Sequence, residues 1–283
     1  MTQKYLDSIE AYLQGCFTED QPQKVLFDSM RYSLLAGGKR LRPTFVLAFC
    51  DLCGGDIDAA LPFAAAMEMV HTYSLIHDDL PCMDNDDYRR GKPTNHKVYG
   101  EATACLAGDA LLTAAFGQIA KAKLPPERIV EAVRVLSACA GELGMVGGQI
   151  LDMDAEHRRC TAQEVYDIQS RKTGALISAA CQLGVIAAGG TKDRQSAAAD
   201  YAEHLGLAFQ IRDDILDVIG DAGTLGKATG VDENKNTFVR LYGVEKCEEM
   251  VAEETRKAID ALACFENADF LIDLANRLIS RNN

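Results

Sequence analysis

Tryptophan is absent, and proline occurs only seven times in 283 residues. Few prolines mean few obligatory breaks, which favours long helices over many short strands joined by turns. Alternating β-branched runs are missing as well, so nothing in the sequence reads as a sheet. Among nucleotide and hydrolase signatures, neither GxGxxG nor HExxH occurs. The loop around residues 220–230 is not a phosphate-cradling P-loop, because Asp221 stands where its first glycine belongs and Ala228 where its Ser or Thr belongs. No Ser or Cys sits in a recognisable nucleophile context. No apolar stretch reads as a membrane span: the longest, around Ile177–Gly190, is rich in Ala and Gly, includes Gln182 and ends early. The N-terminus, MTQKYLDSIEAYLQ, is polar and amphipathic, unlike a secretory leader.

Positive charge is also scarce. Lys and Arg number 29 against 42 Asp and Glu, for a net charge of −13. Such a field does not draw in nucleic acid or an anionic membrane. Any bound anion must be held by a local cluster of cations. The ten cysteines are scattered, mostly beside Ala, Leu or Val. They read as reduced, mostly buried small hydrophobes of a cytoplasmic protein. Cys50 and Cys53 form a lone CxxC without the second pair or histidines of a zinc site, so they read as helix positions.

What is present is helical. Hydrophobic residues make up 48% and charged residues 25%, the profile of a globular protein. Ala, Leu, Glu and Lys dominate, with apolar residues recurring at three and four. The pattern predicts helices over Val25–Ala36, capped by Gly37 and Gly38, and from about Pro43 to Gly54. Further helices are expected over Ala60–Leu80, Glu101–Lys121, Pro126–Met145, Ala162–Ala188, Gln195–Val218, Glu245–Leu262 and Ala268–Ser280. Residues Tyr88–Lys97 and Gly220–Asn236 are expected as loops. No repeat or linker divides the chain, so the expectation is one all-α domain over residues 1–283, a large helical bundle with buried central helices.

Two acidic clusters carry the chemistry. In HTYSLIHDDLPCMDNDD, the residues Asp78, Asp79, Asp84, Asp86 and Asp87 put five carboxylates within ten positions after an apolar helix. Carboxylates this close repel unless cations neutralise them, and hard oxygen donors suit Mg²⁺ bridged to phosphates. Asp78 and Asp84 would not share a face of an unbroken helix, so the helix must end or bend at Pro81. In QIRDDILD, the residues Gln210, Asp213, Asp214 and Asp217 stand at i, i+3, i+4 and i+7, on one stripe of a helix. Apolar neighbours make that stripe costly to bury unpaired. Cations complete the pattern: Lys39, Arg40 and Arg42; Arg89 and Arg90; Lys172 beside Thr173; and Lys227 and Lys235. Each taken singly reads as an ordinary surface residue. Together with the acidic clusters they describe a diphosphate held by metal on one side and cations on the other. His71 shares a helix face with Ser74 and Asp78, which suits either a cavity lining or a satisfied core position.

These residues resemble the trans-isoprenyl diphosphate synthases, and most closely the bacterial farnesyl diphosphate synthases. The likeness runs from about Val25 to Leu241 through GGKRLRP, HTYSLIHDDLPCMDNDDYRRGKPTNH, LAGDALL, GGQILDMD, KTG, GLAFQIRDDILDV and TLGK. The resemblance implies an all-α bundle around a deep central cavity, usually a homodimer. It implies that Asp78, Asp79 and Asp84, and Asp213, Asp214 and Asp217, hold Mg²⁺, up to three ions when substrate is bound. Arg89, Lys172, Thr173, Gln210 and Lys227 would hold an allylic diphosphate, with Asp78, Asp79, Lys172, Asp213, Asp214 and Lys227 serving catalysis. Lys39, Arg42, His71 and Arg90 would hold isopentenyl diphosphate, and Lys235 would add to the substrate site.

Tyr73, five residues before Asp78 and about 7.5 Å along a helix, resembles the floor that limits the product to fifteen carbons. The alternatives are a twenty-carbon geranylgeranyl synthase and a catalytically silent partner subunit. A terpene cyclase would not need the set Lys39, Arg42 and Arg90. One segment departs from the family, since Asn234–Val239 keeps Lys235 and Thr237 but not the Gly, Tyr and Pro of GKxTYP.

Overall fold

Apolar residues on every side of one long helix set the architecture. The computed structural model describes residues 2–225 and 236–280, with side chains for 3–219 and 236–280. The structure is 76% helical, and among the described residues the only strands are one pair of two residues each, as the all-α reading expects. The described residues group into two compact units, Met1–Arg134 with Ile186–Gly189, and Val135–Val185 with Gly190–Asn283.

The first unit holds α1 (Thr2–Gln14), α2 (Lys24–Leu34), α3 (Leu41–Leu52), α4 (Ile57–Asp78), α5 (Asn95–Tyr99), α6 (Glu101–Ala120) and the start of α7 (Pro126–Ala140). Helix α4 is apolar all round, with Phe63, Met67, Met69 and Val70 fully buried, as befits a central helix. Each such large side chain contributes roughly 1.5–3 kcal/mol relative to exposure. It packs chiefly on α6 and α3. Helix α6 corrects the reading of the apolar stretches, since an 18-residue window within it reaches a mean hydropathy of 1.3. By length and composition alone it would cross a membrane. Here Ala104, Ala107, Leu111, Ala115 and Ile119 are buried within its own unit.

The second unit holds the rest of α7, then α8 (Met145–Ala155), α9 (Ala162–Gln169), most of α10 (Ala175–Ala188), α11 (Lys192–Leu225), α12 (Phe238–Tyr242), α13 (Val244–Ala261) and α14 (Asp269–Ile279). Helix α11 packs against α13, and Tyr201 inside it donates its hydroxyl to the Leu271 carbonyl at 3.0 Å.

Several expectations need correction. The segment Ala162–Ala188 is not one helix, because a π-helical turn, Ser170–Gly174, separates α9 from α10. Helix α11 starts at Lys192 and passes Gly220 to reach Leu225, so the first residues of the expected loop Gly220–Asn236 are helical, while 226–235 lie outside the described residues. A single glycine costs a helix only about 1 kcal/mol. Helix α7 ends at Ala140 rather than Met145. Helices α1, α5, α8 and α12 were not expected. The α1 stripe of Tyr5, Ile9 and Leu13 is fully buried, an i, i+4, i+8 pattern that periodicity could have found. The cysteines are free, but only five of the ten are buried.

Candidate active site

The first acidic cluster is built by the way α4 stops. The helix ends at Asp78 with Asp79 as its cap, as the Pro81 argument requires. The chain then turns back: the Asp84 amide donates to the Asp78 carbonyl at 2.9 Å, and the Asn85 amide to the Leu80 carbonyl at 3.1 Å. Asn85 adopts φ 53°, a left-handed conformation that Asn tolerates better than most residues. This fold-back brings the backbone of Asp84, whose side chain is exposed, over the half-buried Asp78.

Asp79 has a different environment. It is 3% exposed, and its Oδ1 accepts from Nε of Arg89 at 2.6 Å, with Nη2 of the same guanidinium also 2.6 Å away as an ion pair. Burial raises its pKa, Arg89 opposes that, and the net direction is upward. Asp86 lies 3.6 Å from the same guanidinium. Asp79 and Arg89 thus fix one another.

The expected loop Tyr88–Lys97 contains a two-stranded hairpin, β1 (Tyr88–Arg89) and β2 (Lys92–Pro93). Its two-residue turn is Arg90–Gly91, with φ 53° and 73°, the positive pair that matches the twist of a tight hairpin. Thr94 closes its base by donating its hydroxyl to the Asp86 carbonyl at 2.7 Å. The turn sends Arg90 back to the Gly37 carbonyl, where its guanidinium crowds Gly38 so closely that a Cβ would stand 2.7 Å from Cζ.

Arg40 anchors this basic corner. It is buried and left-handed at φ 47°, with Nε on Glu10 at 2.7 Å, Nη1 on Glu68 at 2.5 Å and Nη2 on the Leu34 carbonyl at 2.8 Å. Burial alone would lower its pKa, but the two carboxylates outweigh it and the net shift is upward. Arg42 keeps a buried Nε without a hydrogen-bond partner. Burial pushes its pKa down, Glu68 opposes, and Arg90 adds to the lowering. His71 lies in the same field: burial first, then Arg42, Arg90, Arg89 and Arg40, hold its pKa well below the usual imidazole value. It is therefore neutral near pH 7 and adds no charge. Lys39 is exposed. This concentration of cations in an acidic protein suits an anion.

In the second unit, the π-helical turn presents Lys172 and Thr173. Lys172 Nζ is 2.5 Å from Asp152 of α8. Gly148 makes that approach possible, because a Cβ there would overlap the Lys172 backbone. Gln210 donates to Gln169 at 2.8 Å. The continuous α11 puts Asp213, Asp214 and Asp217 on the expected stripe, half-buried except for the exposed Asp217. Asp214 also accepts from the Phe238 amide at 2.8 Å, which ties α11 to the start of α12. Asn236, where the family pattern is lost, holds the Cys160 amide and the Ala155 and Arg158 carbonyls within 3.0 Å.

Asp152, Gln169, Glu68 and Asn236 were not singled out from the sequence. Asp152 lies inside the GGQILDMD motif, which was the available signal. Lys227 and Lys235 lie outside the described residues. Tyr73 is 5% exposed, one turn before His77, whose ring it meets edge-on at 5.6 Å between centroids. Burial, then Asp78, pushes its phenol up to about 12.

Comparison with known proteins finds relatives over nearly the whole chain. The profile of the Polyprenyl synthetase family matches residues 23–269. The chloroplastic geranylgeranyl pyrophosphate synthase of Catharanthus roseus is 46% identical over 284 residues, covering 98% of this chain and 79% of that protein. The farnesyl diphosphate synthase of Micrococcus luteus is 46% identical over 267 residues, covering 92% and 90%. The apo crystal structure of a FPP/GFPP synthase from Zymomonas mobilis superposes with a TM-score of 0.90 at 37% identity, covering 99% of this chain and 98% of that one.

Proposed function

This chain belongs to the polyprenyl synthetase family and is a prenyltransferase of isoprenoid biosynthesis, and on that premise we propose that it makes farnesyl diphosphate from isopentenyl diphosphate and dimethylallyl or geranyl diphosphate. The observation that carries the fifteen-carbon reading is Tyr73, a bulky buried aromatic at a position set back from Asp78 by about 7.5 Å of helix. Relatives of equal identity bear both farnesyl and geranylgeranyl names, so this local feature has to decide.

The donor sets fit Mg²⁺. Asp78 and Asp84, and Asp213, Asp214 and Asp217, are all-oxygen sets, with exposed members able to reach a hydrated ion. Asp79 joins the first set only if Arg89 releases it. Bound there, the metal would neutralise charge on the departing diphosphate. The chain's own cations do the rest. Lys172, Thr173, Arg89 and Gln210, with Lys227, hold the allylic diphosphate and stabilise charge as its C–O bond breaks. Arg42, Arg90, Lys39 and neutral His71 orient isopentenyl diphosphate, with Lys235 assisting. The double bond of isopentenyl diphosphate attacks the allylic cation, a C–C bond forms, and a proton leaves to the released diphosphate. Water has to be kept out, because it would quench the cation. The reading includes one catalytic domain over residues 1–283, acting as a cytoplasmic homodimer.

The test is product sizing with Mg²⁺, labelled isopentenyl diphosphate and either starter. Fifteen carbons from the wild type, and longer products from Tyr73→Ala, are expected. Twenty carbons from the wild type would refute the floor.

A further inference from the structure

Beside the α4–α6 contact, on the first unit, three side chains of different chemistry converge. His77 comes from the last turn of α4, and Cys105 and Asp109 stand at i and i+4 on α6. One ligand atom of each lies within 4.8 Å of the others. None of the three belongs to the reading above, and the argument does not depend on it.

The imidazole is already aimed. Its ring lies over Gly108, where a Cβ would overlap it, so α6 offers a notch that only glycine leaves open. The Tyr73 ring meets it edge-on. Nε2 is 3.0 Å from the Cys105 carbonyl and 3.9 Å from Asp109 Oδ1. A carbonyl only accepts, so Nε2 carries the proton in this state. Cys105 and Asp109 are exposed and able to rotate.

We propose that His77, Cys105 and Asp109 form a binding site for a borderline divalent transition metal of the Zn²⁺ type, separate from the two carboxylate clusters. Nitrogen, sulfur and carboxylate oxygen from three residues, with solvent as a fourth ligand, is a donor set that such ions accept and Mg²⁺ does not. Bond lengths of about 2.0–2.3 Å to such an ion need donor atoms roughly 3.3–3.8 Å apart. The present spread of up to 4.8 Å closes by side-chain rotation at the two exposed residues, without moving either helix. On binding, the thiol gives one proton to solvent, and the imidazole proton moves from Nε2 to Nδ1. Occupancy would clamp α6 to the turn that carries Asp78.

The experiment is a Co²⁺ titration of the metal-free, reduced full-length protein, read by absorbance. A near-ultraviolet thiolate-to-cobalt band is expected at micromolar Co²⁺, displaced by equimolar Zn²⁺ and unmoved by millimolar Mg²⁺. Cys105→Ser abolishes it, Asp109→Asn weakens the affinity at least tenfold, and Asp84→Asn leaves the band intact. No band at 1 mM Co²⁺, a band that survives in Cys105→Ser, or unchanged affinity in Asp109→Asn would overturn the proposal. Cys105 and Asp109 are exposed, so both variants are expected to fold, and circular dichroism checks that they do.

Discussion

Replacing Glu68 with Gln would test how the basic corner is held. Glu68 is 2% exposed and sits 2.5 Å from Arg40 Nη1, whose side chain is 1% exposed. The substitution keeps shape and removes the charge. Arg40 retains the Leu34 carbonyl and Glu10, but the Glu10 side chain is 40% exposed and water screens it. Breaking one partner of a buried pair costs about 3–5 kcal/mol, because a buried charge is left uncompensated. Since Glu10 remains, the lower end, about 3 kcal/mol, is expected. At roughly 2–4 °C per kcal/mol for a chain of this size, Tm falls by about 6–12 °C. Glu10→Gln serves as the internal comparison, and costs about 1 kcal/mol or less because that partner is half exposed. Glu68 also tempers the repulsion between Arg42 and Arg90. The Michaelis constant for isopentenyl diphosphate should therefore change in Glu68→Gln more than that for the allylic substrate. Calorimetry with steady-state kinetics reads both effects. A Tm within 2 °C of wild type would refute the reasoning, because Arg40 would then not depend on its buried partner.

Two other expectations follow from the second unit. Asp152→Asn loosens Lys172 on its π-helical turn; the pair is about a third exposed, so the effect is modest, about a threefold to tenfold loss in kcat/KM for the allylic substrate with little change in Tm. Glu164 completes a capping box with Thr161 at the start of α9, and the Thr161 amide and hydroxyl and Arg158 pull its carboxyl down to about 2 from the usual 4.5. A depressed carboxylate stabilises the fold above its unfolded pKa, so amide-exchange protection in the first turn of α9 should be constant above about pH 5 and decline as pH falls toward 2. Glu164→Gln should remove that pH dependence.

How far the sequence reached is clearest at the two aspartate clusters. Asp213, Asp214 and Asp217 were legible because helical periodicity places i, i+3, i+4 and i+7 on one stripe whatever the surroundings, and α11 is unbroken there. The end of α4 was legible from Pro81, since a proline past the first turn removes a helical hydrogen bond, although the same helix absorbs Pro62 nearer its start. The role of Asp79 was not. Asp78 and Asp79 are neighbours of one type, and only the hairpin, by returning Arg89 to the helix end, distinguishes them. The π-helical turn was equally hidden, since Ser170–Gly174 differs from α-helix by one residue of slippage, and the Gly148 backbone that lies against Lys172 there is distant in sequence. Helix α8 carries two adjacent glycines that argue against helix locally, and packing overrode them.

The sequence by itself determined the fold class, the elements long enough to show their period, and the two aspartate clusters with the cations spaced around them. These are properties of local spacing and composition, carried by the chain before it folds. Tertiary structure decided which carboxylates face cations. It makes Arg40 a buried strut, sends Arg90 back to the Gly37 carbonyl, and sets Asp152 against Lys172. Those outcomes depend on contacts between residues distant in sequence, such as Arg40 with Glu68 and Lys172 with Asp152, and no local pattern encodes which distant partner a charge will meet.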